Sequence, residues 1–142
     1  MTVEARLGIF RDRVVVGGAE FRVRRGRGGW CEIVDPARVG RVRYDGWRDR
    51  IQIESPPESV LIRFRWRNTL FAWRGRTYRI DSGFWGRVRI FDGAREVATG
   101  KVTLSGFRFE FVVPELRAIE RELAVGLGLR AQTFAAILAV AH

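Results

Sequence analysis

Arginines are the most numerous side chains in this sequence that could bind a ligand, and the ligand they favour is an anion. Lysine and arginine total 26 against 16 acidic residues, which leaves a net charge of +10, and only Lys101 of the 26 is not arginine. Arginines alternate with bulky apolar residues at 62–67 and again at 87–90. If the two strands are neighbours, their arginines form a patch suited to phosphates or acidic headgroups. The candidate anion-binding residues are Arg63, Arg65, Arg67, Arg87 and Arg89.

A structural explanation of the same arginines stays open. The outside of a barrel is charged in any case, and acids on neighbouring strands can neutralise arginines across the sheet. The acids placed to do so are Glu54, Asp81, Glu96 and Glu110. The arginine excess can also reflect genome composition. The charge therefore predicts an anionic partner without identifying it.

Residues for catalysis or metal binding are scarce. The only histidine is His142 and the only cysteine is Cys31, so neither a catalytic triad nor a structural zinc site can be assembled from typical ligands. The aspartates Asp12, Asp35, Asp45, Asp81 and Asp92 stand near turn signals, where the residue usually serves the backbone. We expect no enzyme activity, no metal, no cofactor and no small-molecule substrate.

Two further motifs have structural explanations. The cluster Gly26, Gly28 and Gly29 lacks the Lys-Ser/Thr ending of a phosphate loop, so it is interpreted as the basic tip of a hairpin. Cys31 follows Trp30 in an alternating run and is expected to be a small core residue. A single cysteine requires no oxidising compartment, and residues 1–6 lack a secretory signal. These features predict a cytoplasmic protein that can associate peripherally with a membrane.

The elements that must position the arginines are short strands. From Arg6 to Val113, turn signals interrupt the chain at regular intervals, and the residues between them alternate apolar and polar, as at Phe107, Phe109 and Phe111. Asp92-Gly93 predicts a tight hairpin, and Asp45-Gly46 is a second candidate. Roughly ten to twelve antiparallel strands fit, and so many usually close into a barrel or split into a sandwich. We expect the barrel.

The chain changes character at Pro114, which with Glu115 predicts a helix start. Beyond Leu123 the only ionic side chain before His142 is Arg130. A helix that is apolar on all sides must be surrounded by lipid or by protein. A membrane span is disfavoured by its marginal length and central arginine. We therefore predict a single domain over 1–142, with a barrel at 1–113 and a helix at 114–142 buried inside it.

Residues 59–142 resemble the tubby C-terminal-like barrels, a superfamily that includes the phospholipid scramblases and the LURP-one-related proteins. The resemblance rests on WRGRTYRI at 73–80, on VRIFDG at 88–93 followed by REVA at 95–98, and on the apolar helix after Pro114. It implies a closed barrel around a hydrophobic C-terminal helix. The proline-rich region, cysteine cluster and acidic calcium-binding segment of scramblases are not found, so scrambling is not implied. Tubby proteins bind phosphoinositides, but no site residue can be carried over.

Three functions remain open. The first, which we favour, is a non-catalytic module that binds acidic phospholipid headgroups or a membrane surface, with Trp47 or Trp85 as interfacial anchors. The second is a nucleic-acid-binding β domain, in which Trp66, Trp73 or Trp85 stacks on bases. The third is a protein-protein adaptor without a ligand, whose charge serves solubility.

Overall fold

The computed structural model describes residues 2–8, 11–83 and 86–141, with the side chains of the terminal helix given to Ile137. Twelve strands form one antiparallel sheet, and a single long helix follows them. The elements are β1 Val3–Leu7, β2 Asp12–Val16, β3 Ala19–Arg25, β4 Trp30–Val34, β5 Gly40–Asp45, β6 Arg50–Ser55, β7 Glu58–Arg63, β8 Thr69–Trp73, β9 Arg76–Ser82, β10 Arg87–Asp92, β11 Arg95–Thr103, β12 Gly106–Val112 and α1 Glu120–Ala141.

The sheet curves into a nearly closed barrel. Strands β1 to β7 pair in chain order, β8 to β12 do the same, and β1 joins β12 with Val3 opposite Phe109. The two remaining edges, β7 and β8, lie beside each other without a strand ladder. We call this junction the seam. Across it, Arg74 donates hydrogen bonds of 3.0 and 2.8 Å to Glu58. The predicted class, a β barrel of ten to twelve strands with one C-terminal helix, is confirmed.

The inner face carries the alternating apolar residues. Along β6, Ile51 and Ile53 are buried while Gln52 between them is partly exposed, as the period of two predicts. Aromatic rings contribute to the mostly aliphatic interior, with Phe71 stacked on Tyr78 at 5.3 Å and Phe107 edge-on to Phe109 at 4.9 Å. Cys31 is also buried, as expected of a core residue.

The helix occupies the barrel. A 3-10 turn at Pro114–Leu116 leads into α1, which begins at Glu120 rather than at the proline. Residues Leu123, Ala124 and Val125 are fully buried. A Cβ at Gly126 would lie 2.7 Å from Ile51 Cγ2, so glycine lets the helix approach the wall closely. The prediction of a buried helix is confirmed for the first half of α1, up to Gly128.

Because the strands alternate in direction, their connections lie at two opposite ends of the barrel. The end where the helix begins, with the turns at 17–18, 35–39, 56–57, 74–75 and 93–94, is called the lower mouth. The other end, with the connections at 8–11, 26–29, 46–49, 64–68, 83–86 and 104–105, is called the upper mouth. The helix leaves through the upper mouth, where Gln132 Nε2 donates to the Leu7 carbonyl oxygen at 2.7 Å.

Three local expectations are corrected. Strand β7 ends at Arg63, so Arg65 and Arg67 lie in a loop rather than on a strand face. A bulge in β12 interrupts the alternation of phenylalanines, so Phe111 points outward and is exposed. Asp45-Gly46 begins a four-residue connection rather than a tight turn, whereas the hairpin at Asp92-Gly93 is confirmed, with Gly93 at φ 62°. None of the described residues forms a helix long and apolar enough to cross a bilayer.

Candidate functional site

A basic cavity lies at the upper end of the seam, and we call it the seam pocket. It has a volume of about 420 Å³, within the range of roughly 300–1,000 Å³ that is common for ligand sites. The loop between β7 and β8 forms one side, the end of β9 forms another, and α1 contributes a single residue. The lining residues are Phe64, Arg65, Trp66, Arg67, Asn68, Thr69, Arg79, Ile80, Asp81, Ser82 and Arg130.

The loop at 64–68 is held by specific hydrogen bonds. The Phe64 amide donates to the Asp49 carbonyl oxygen at 2.9 Å, and the Arg65 amide donates to Thr69 Oγ1 at 3.0 Å. Asn68 adopts φ 57°, a left-handed conformation that asparagine tolerates better than most residues. These contacts present Arg65 and Arg67 to solvent on a defined backbone and leave Trp66 94% exposed.

Three arginines of the seam pocket lack an acidic partner. Within 2–8, 11–83 and 86–141, neither Arg65, Arg67 nor Arg79 forms an ion pair, and the same holds for Arg63 just outside the pocket. One carboxylate, Asp81, also lines the cavity. The guanidinium of Arg79 stacks on Phe91 at 4.6 Å, which keeps its donors available. The pocket is therefore positive and rich in free donors.

The fourth arginine of the pocket, Arg130, has a partner. Its guanidinium donates to both carboxylate oxygens of Asp49, at 2.9 and 3.1 Å, and its face lies 4.0 Å from the Phe64 ring. Burial disfavours the ionised form of Asp49, but hydrogen bonds from Arg130 and Tyr44 outweigh this effect and lower the pKa of Asp49. Arg130 lines the pocket, and its contacts with Asp49 and Phe64 connect α1 to the β5–β6 and β7–β8 loops.

The five arginines predicted as one patch do not come together. Strands β7 and β10 are not neighbours, because β8 and β9 lie between them across the seam. Arg89 is paired with Glu96 at 2.7 Å, which raises the pKa of Arg89, and Arg87 faces Glu110 at 3.9 Å. The part of the prediction that contributes to the candidate site is Arg65 and Arg67, with Arg63 beside them.

Two residues of the site were missed at the sequence level. Arg79 lies within the WRGRTYRI run and was not distinguished from other outward strand residues, since its lack of an acidic partner depends on which strands are adjacent. Arg130 was noted as the only charge of the apolar helix, which was the available signal, but its partner Asp49 is 81 residues away in the chain.

A larger hollow on the outside of β2 and β3, of about 1050 Å³, is a weaker candidate. Three of its arginines are neutralised by acids of the same surface: Arg13 by Glu20, Arg24 by Glu32 and Arg25 by Asp12. Its volume is greater than that of the seam pocket, but a ligand that used these three arginines would have to compete with formed ion pairs. We therefore give more weight to the seam pocket.

A buried charge cluster lies at the lower mouth. Glu122 of α1 is fully buried, 3.5 Å from Arg121 and 3.7 Å from Arg38, and neither of its carboxylate oxygens has a hydrogen-bond partner among the described residues. Arg121 is paired more closely with Asp35, at 2.7 Å. Burial raises the pKa of Glu122. Neither the seam pocket nor the larger hollow includes a residue of this cluster, which is interpreted as an anchor for the helix.

No protein-family model, curated protein or solved structure matches the chain. The function is therefore argued from the geometry of the candidate site.

Proposed function

We propose that this protein is a non-catalytic module that binds an anionic membrane surface, and that the seam pocket receives a phosphate of the phospholipid headgroups. The observation that carries the proposal is the convergence of Arg65, Arg67 and Arg79 on one cavity without acidic partners, while many other arginines are neutralised. Guanidinium groups bind phosphate oxygens through paired, charge-assisted hydrogen bonds. An unpaired group can make these bonds without first breaking an ion pair.

The surroundings of the pocket support a lipid surface as the source of the phosphate. Trp66 projects from the same loop as Arg65 and Arg67, and Trp47 projects from the adjacent connection with 98% of its surface exposed. Tryptophan is enriched at the boundary between headgroups and hydrocarbon, because its ring is apolar and its N–H is polar. Trp85, the other anchor predicted from the sequence, lies outside the described residues.

Membership of the tubby C-terminal-like superfamily is part of this proposal. What supports it is the arrangement that the resemblance implied, a barrel of antiparallel strands around an apolar C-terminal helix. The location of the seam pocket is argued from this chain's own residues and not from any family site.

Nucleic acid is the principal alternative. Of the three tryptophans considered for stacking on bases, Trp73 is buried and its Nε1 donates to the Glu115 carbonyl oxygen at 3.2 Å, so it belongs to the core. Trp66 is exposed beside unpaired arginines and could serve either partner. A protein-protein adaptor is the remaining alternative.

Co-sedimentation distinguishes these functions. The protein is mixed with vesicles of phosphatidylcholine alone, or of phosphatidylcholine with phosphatidylserine, across a salt series and with a single-stranded oligonucleotide as competitor. We expect binding to the acidic vesicles only, weakened by salt and retained with the oligonucleotide. Loss of vesicle binding when the oligonucleotide is added would favour nucleic acid as the partner. Binding to neither the vesicles nor the oligonucleotide would favour the protein-protein adaptor.

Matched variants test the pocket itself. Arg67→Gln removes one unpaired, exposed arginine at the upper mouth, and Arg117→Gln removes one at the lower mouth, where Arg117 has no ion pair among the described residues. Net charge falls equally in both. Arg67→Gln should weaken vesicle binding several-fold, because a contact to phosphate is lost, and Arg117→Gln should change it little. Equal effects would show that only net charge matters and would contradict the pocket.

A further inference from the structure

The C-terminal end of α1 projects beyond the barrel. Arg130 and Gln132 bind residues of the upper mouth, and from Phe134 to Ile137 the side chains are exposed. The helix continues to Ala141 through the apolar sequence Leu-Ala-Val-Ala. Eight residues at 134–141 extend about 12 Å at a rise of 1.5 Å per residue. The part of the helix that leaves the barrel is therefore apolar.

The exposed residues of this segment, 134–137, face several directions around the helix axis. Consecutive residues of a helix are separated by about 100°, so four in succession point in almost every direction around the axis. Phe134, Ala135, Ala136 and Ile137 are all exposed. Scattered apolar residues on a surface need no explanation, but a contiguous apolar surface usually marks an interaction site.

Further apolar residues surround the helix at the same mouth. Trp47, Trp66 and Leu104 lie in three different connections of the upper mouth, and all three are almost or completely exposed. In the described part of the chain, none of the lower-mouth connections carries an exposed tryptophan. The apolar surface is therefore concentrated at one end of the barrel, around the projecting helix.

The connections of the upper mouth are also basic. They carry Arg11, Arg27, Arg48, Arg65 and Arg67, and their one acid in the described ranges, Asp49, is bound by Arg130. This combination selects the occupant. A nucleic acid would match the arginines and leave the apolar helix in water. An anionic bilayer matches both, since headgroups contact the arginines and hydrocarbon receives the helix.

We infer that the upper mouth docks end-on against an anionic bilayer, with residues 134–141 inserted in one leaflet and Trp47 and Trp66 at the level of the headgroups. The inference rests on the proposed function and adds to it an orientation and a depth. Residues 134–141 extend about 12 Å, which is less than half of a hydrocarbon core about 30 Å thick, so these residues fit within one leaflet. Arg130 then remains at the headgroup level with its partner Asp49.

A fluorescent label at the helix end tests insertion. Ile137→Cys is labelled with an environment-sensitive nitrobenzoxadiazole group, and Ala94→Cys, an exposed position at the lower mouth, provides the matched control. The native Cys31 is buried and should remain unlabelled. With phosphatidylcholine–phosphatidylserine vesicles, we expect a blue shift and a several-fold intensity gain at position 137, quenched by lipids carrying a nitroxide on the acyl chain. Position 94 should not respond.

The outcomes separate insertion from the proposed function. Vesicle binding without a response at position 137 would overturn insertion and leave the anion-binding function intact. Absence of vesicle binding would overturn both. A blue shift that grows with protein concentration in the absence of vesicles would show that a second copy covers the helix end, and would also overturn the inference.

Two substitutions at equally exposed positions test how much the apolar side chain of Ile137 contributes to vesicle binding. Ile137 is 57% exposed on the projecting helix, and Val39 is 58% exposed at the lower mouth. Ile137→Gln should weaken binding to acidic vesicles about tenfold, because a large aliphatic side chain no longer enters hydrocarbon. Val39→Gln should leave binding unchanged. Equal binding by the two variants, with unchanged thermal midpoints, would overturn insertion.

Discussion

Arg130 of the central helix and Asp49 of the β5–β6 loop form a two-hydrogen-bond ion pair, with distances of 2.9 and 3.1 Å, where the helix leaves the barrel. Tyr44 donates a third hydrogen bond to Asp49 at 2.6 Å, and the arginine face contacts Phe64 and Phe134. The single charge within the apolar part of the helix thus marks the level of the upper mouth. Residues before it are mostly enclosed, residues 131–133 are partly buried, and residues 134–137 are exposed.

Arg130→Gln should lower the free energy of unfolding by about 1–3 kcal/mol, since Asp49 keeps only its hydrogen bond from Tyr44 in a partly buried position. The folded-state pKa of Asp49 lies below its ordinary value of 3.8. This contribution is therefore present above that pH and is lost as pH falls through the folded pKa. Urea unfolding at neutral and acidic pH should show a smaller acid-induced loss in the variant.

The double variant Arg130→Gln/Asp49→Asn provides the control for this pair. Removing both charges leaves no unpaired carboxylate, so the double variant should be more stable than the sum of the two single effects allows. Additive single effects would show that the two residues stabilise the protein independently.

Glu58→Gln should loosen the seam, because the hydrogen bonds from Arg74 to Glu58 join two edges that have no strand ladder between them. The contact to Arg74 lowers the pKa of Glu58, in agreement with a formed ion pair. Amide hydrogen exchange of β7 and β8 should become faster, while overall stability changes little because Arg74 is exposed and Glu58 is partly exposed.

Glu20→Gln is the matched control for the seam. Glu20 pairs with Arg13 at 3.0 Å, but their strands β2 and β3 are already joined by a ladder. Exchange in β2 and β3 should therefore not change. If Glu58→Gln leaves amide exchange of β7 and β8 as slow as Glu20→Gln does, the contact between Arg74 and Glu58 does not hold the barrel closed.

The barrel and its central helix could be predicted from local patterns. Alternation at Ile51 and Ile53 and the hairpin at Asp92-Gly93 depend on nearby residues only, and the structure confirms both. The apolar helix had to be enclosed by something, and the number of strands made the barrel interior available. Each of these conclusions follows from the alternation of apolar residues in a strand or from the apolar composition of the helix.

The candidate site could not be predicted in the same way. The alternation of apolar residues and arginines continues past Arg63, but the strand ends there because the chain turns towards β8. No residue type in the sequence marks this end of the strand. Whether an arginine is neutralised depends on strand register, which places Glu96 beside Arg89 and leaves Arg79 without an acid in the described ranges. Uniform apolarity likewise did not show that α1 is enclosed only in its first half.

Glu122→Gln should reduce the dependence of stability on pH above 4.5, the ordinary pKa of a glutamate side chain. Burial raises the folded-state pKa of Glu122 above its ordinary value of 4.5, although Arg38 and Arg121 oppose the shift. The folded protein then binds this proton at a higher pH than the unfolded chain does. Stability from this group increases as pH falls through the folded pKa towards 4.5, and denaturant unfolding across this range measures it.

Glutamine is a fair replacement because it has almost the same shape, and Arg121 keeps its ion pair with Asp35. Glu120 is buried nearby and its pKa is also raised by burial, so Glu120→Gln should remove part of the remaining dependence. An unchanged pH profile in Glu122→Gln would show that the carboxyl group titrates alike in the folded and unfolded states.

Two truncations should separate the enclosed and projecting parts of the terminal helix. A chain ending at Val113 loses a set of fully or almost fully buried side chains, namely Leu116, Ile119, Leu123, Val125 and Leu127. Each such loss costs about 2–5 kcal/mol, and the sum exceeds a typical total stability of about 5–15 kcal/mol, so this chain should not fold. A chain ending at Thr133 keeps these residues and Arg130, and should retain the β-sheet signal in circular dichroism and the cooperative unfolding of the full protein, with a smaller helical signal. A folded barrel ending at Val113 would contradict the role of the helix as core, and unfolding of the chain ending at Thr133 would contradict the independence of the projecting end.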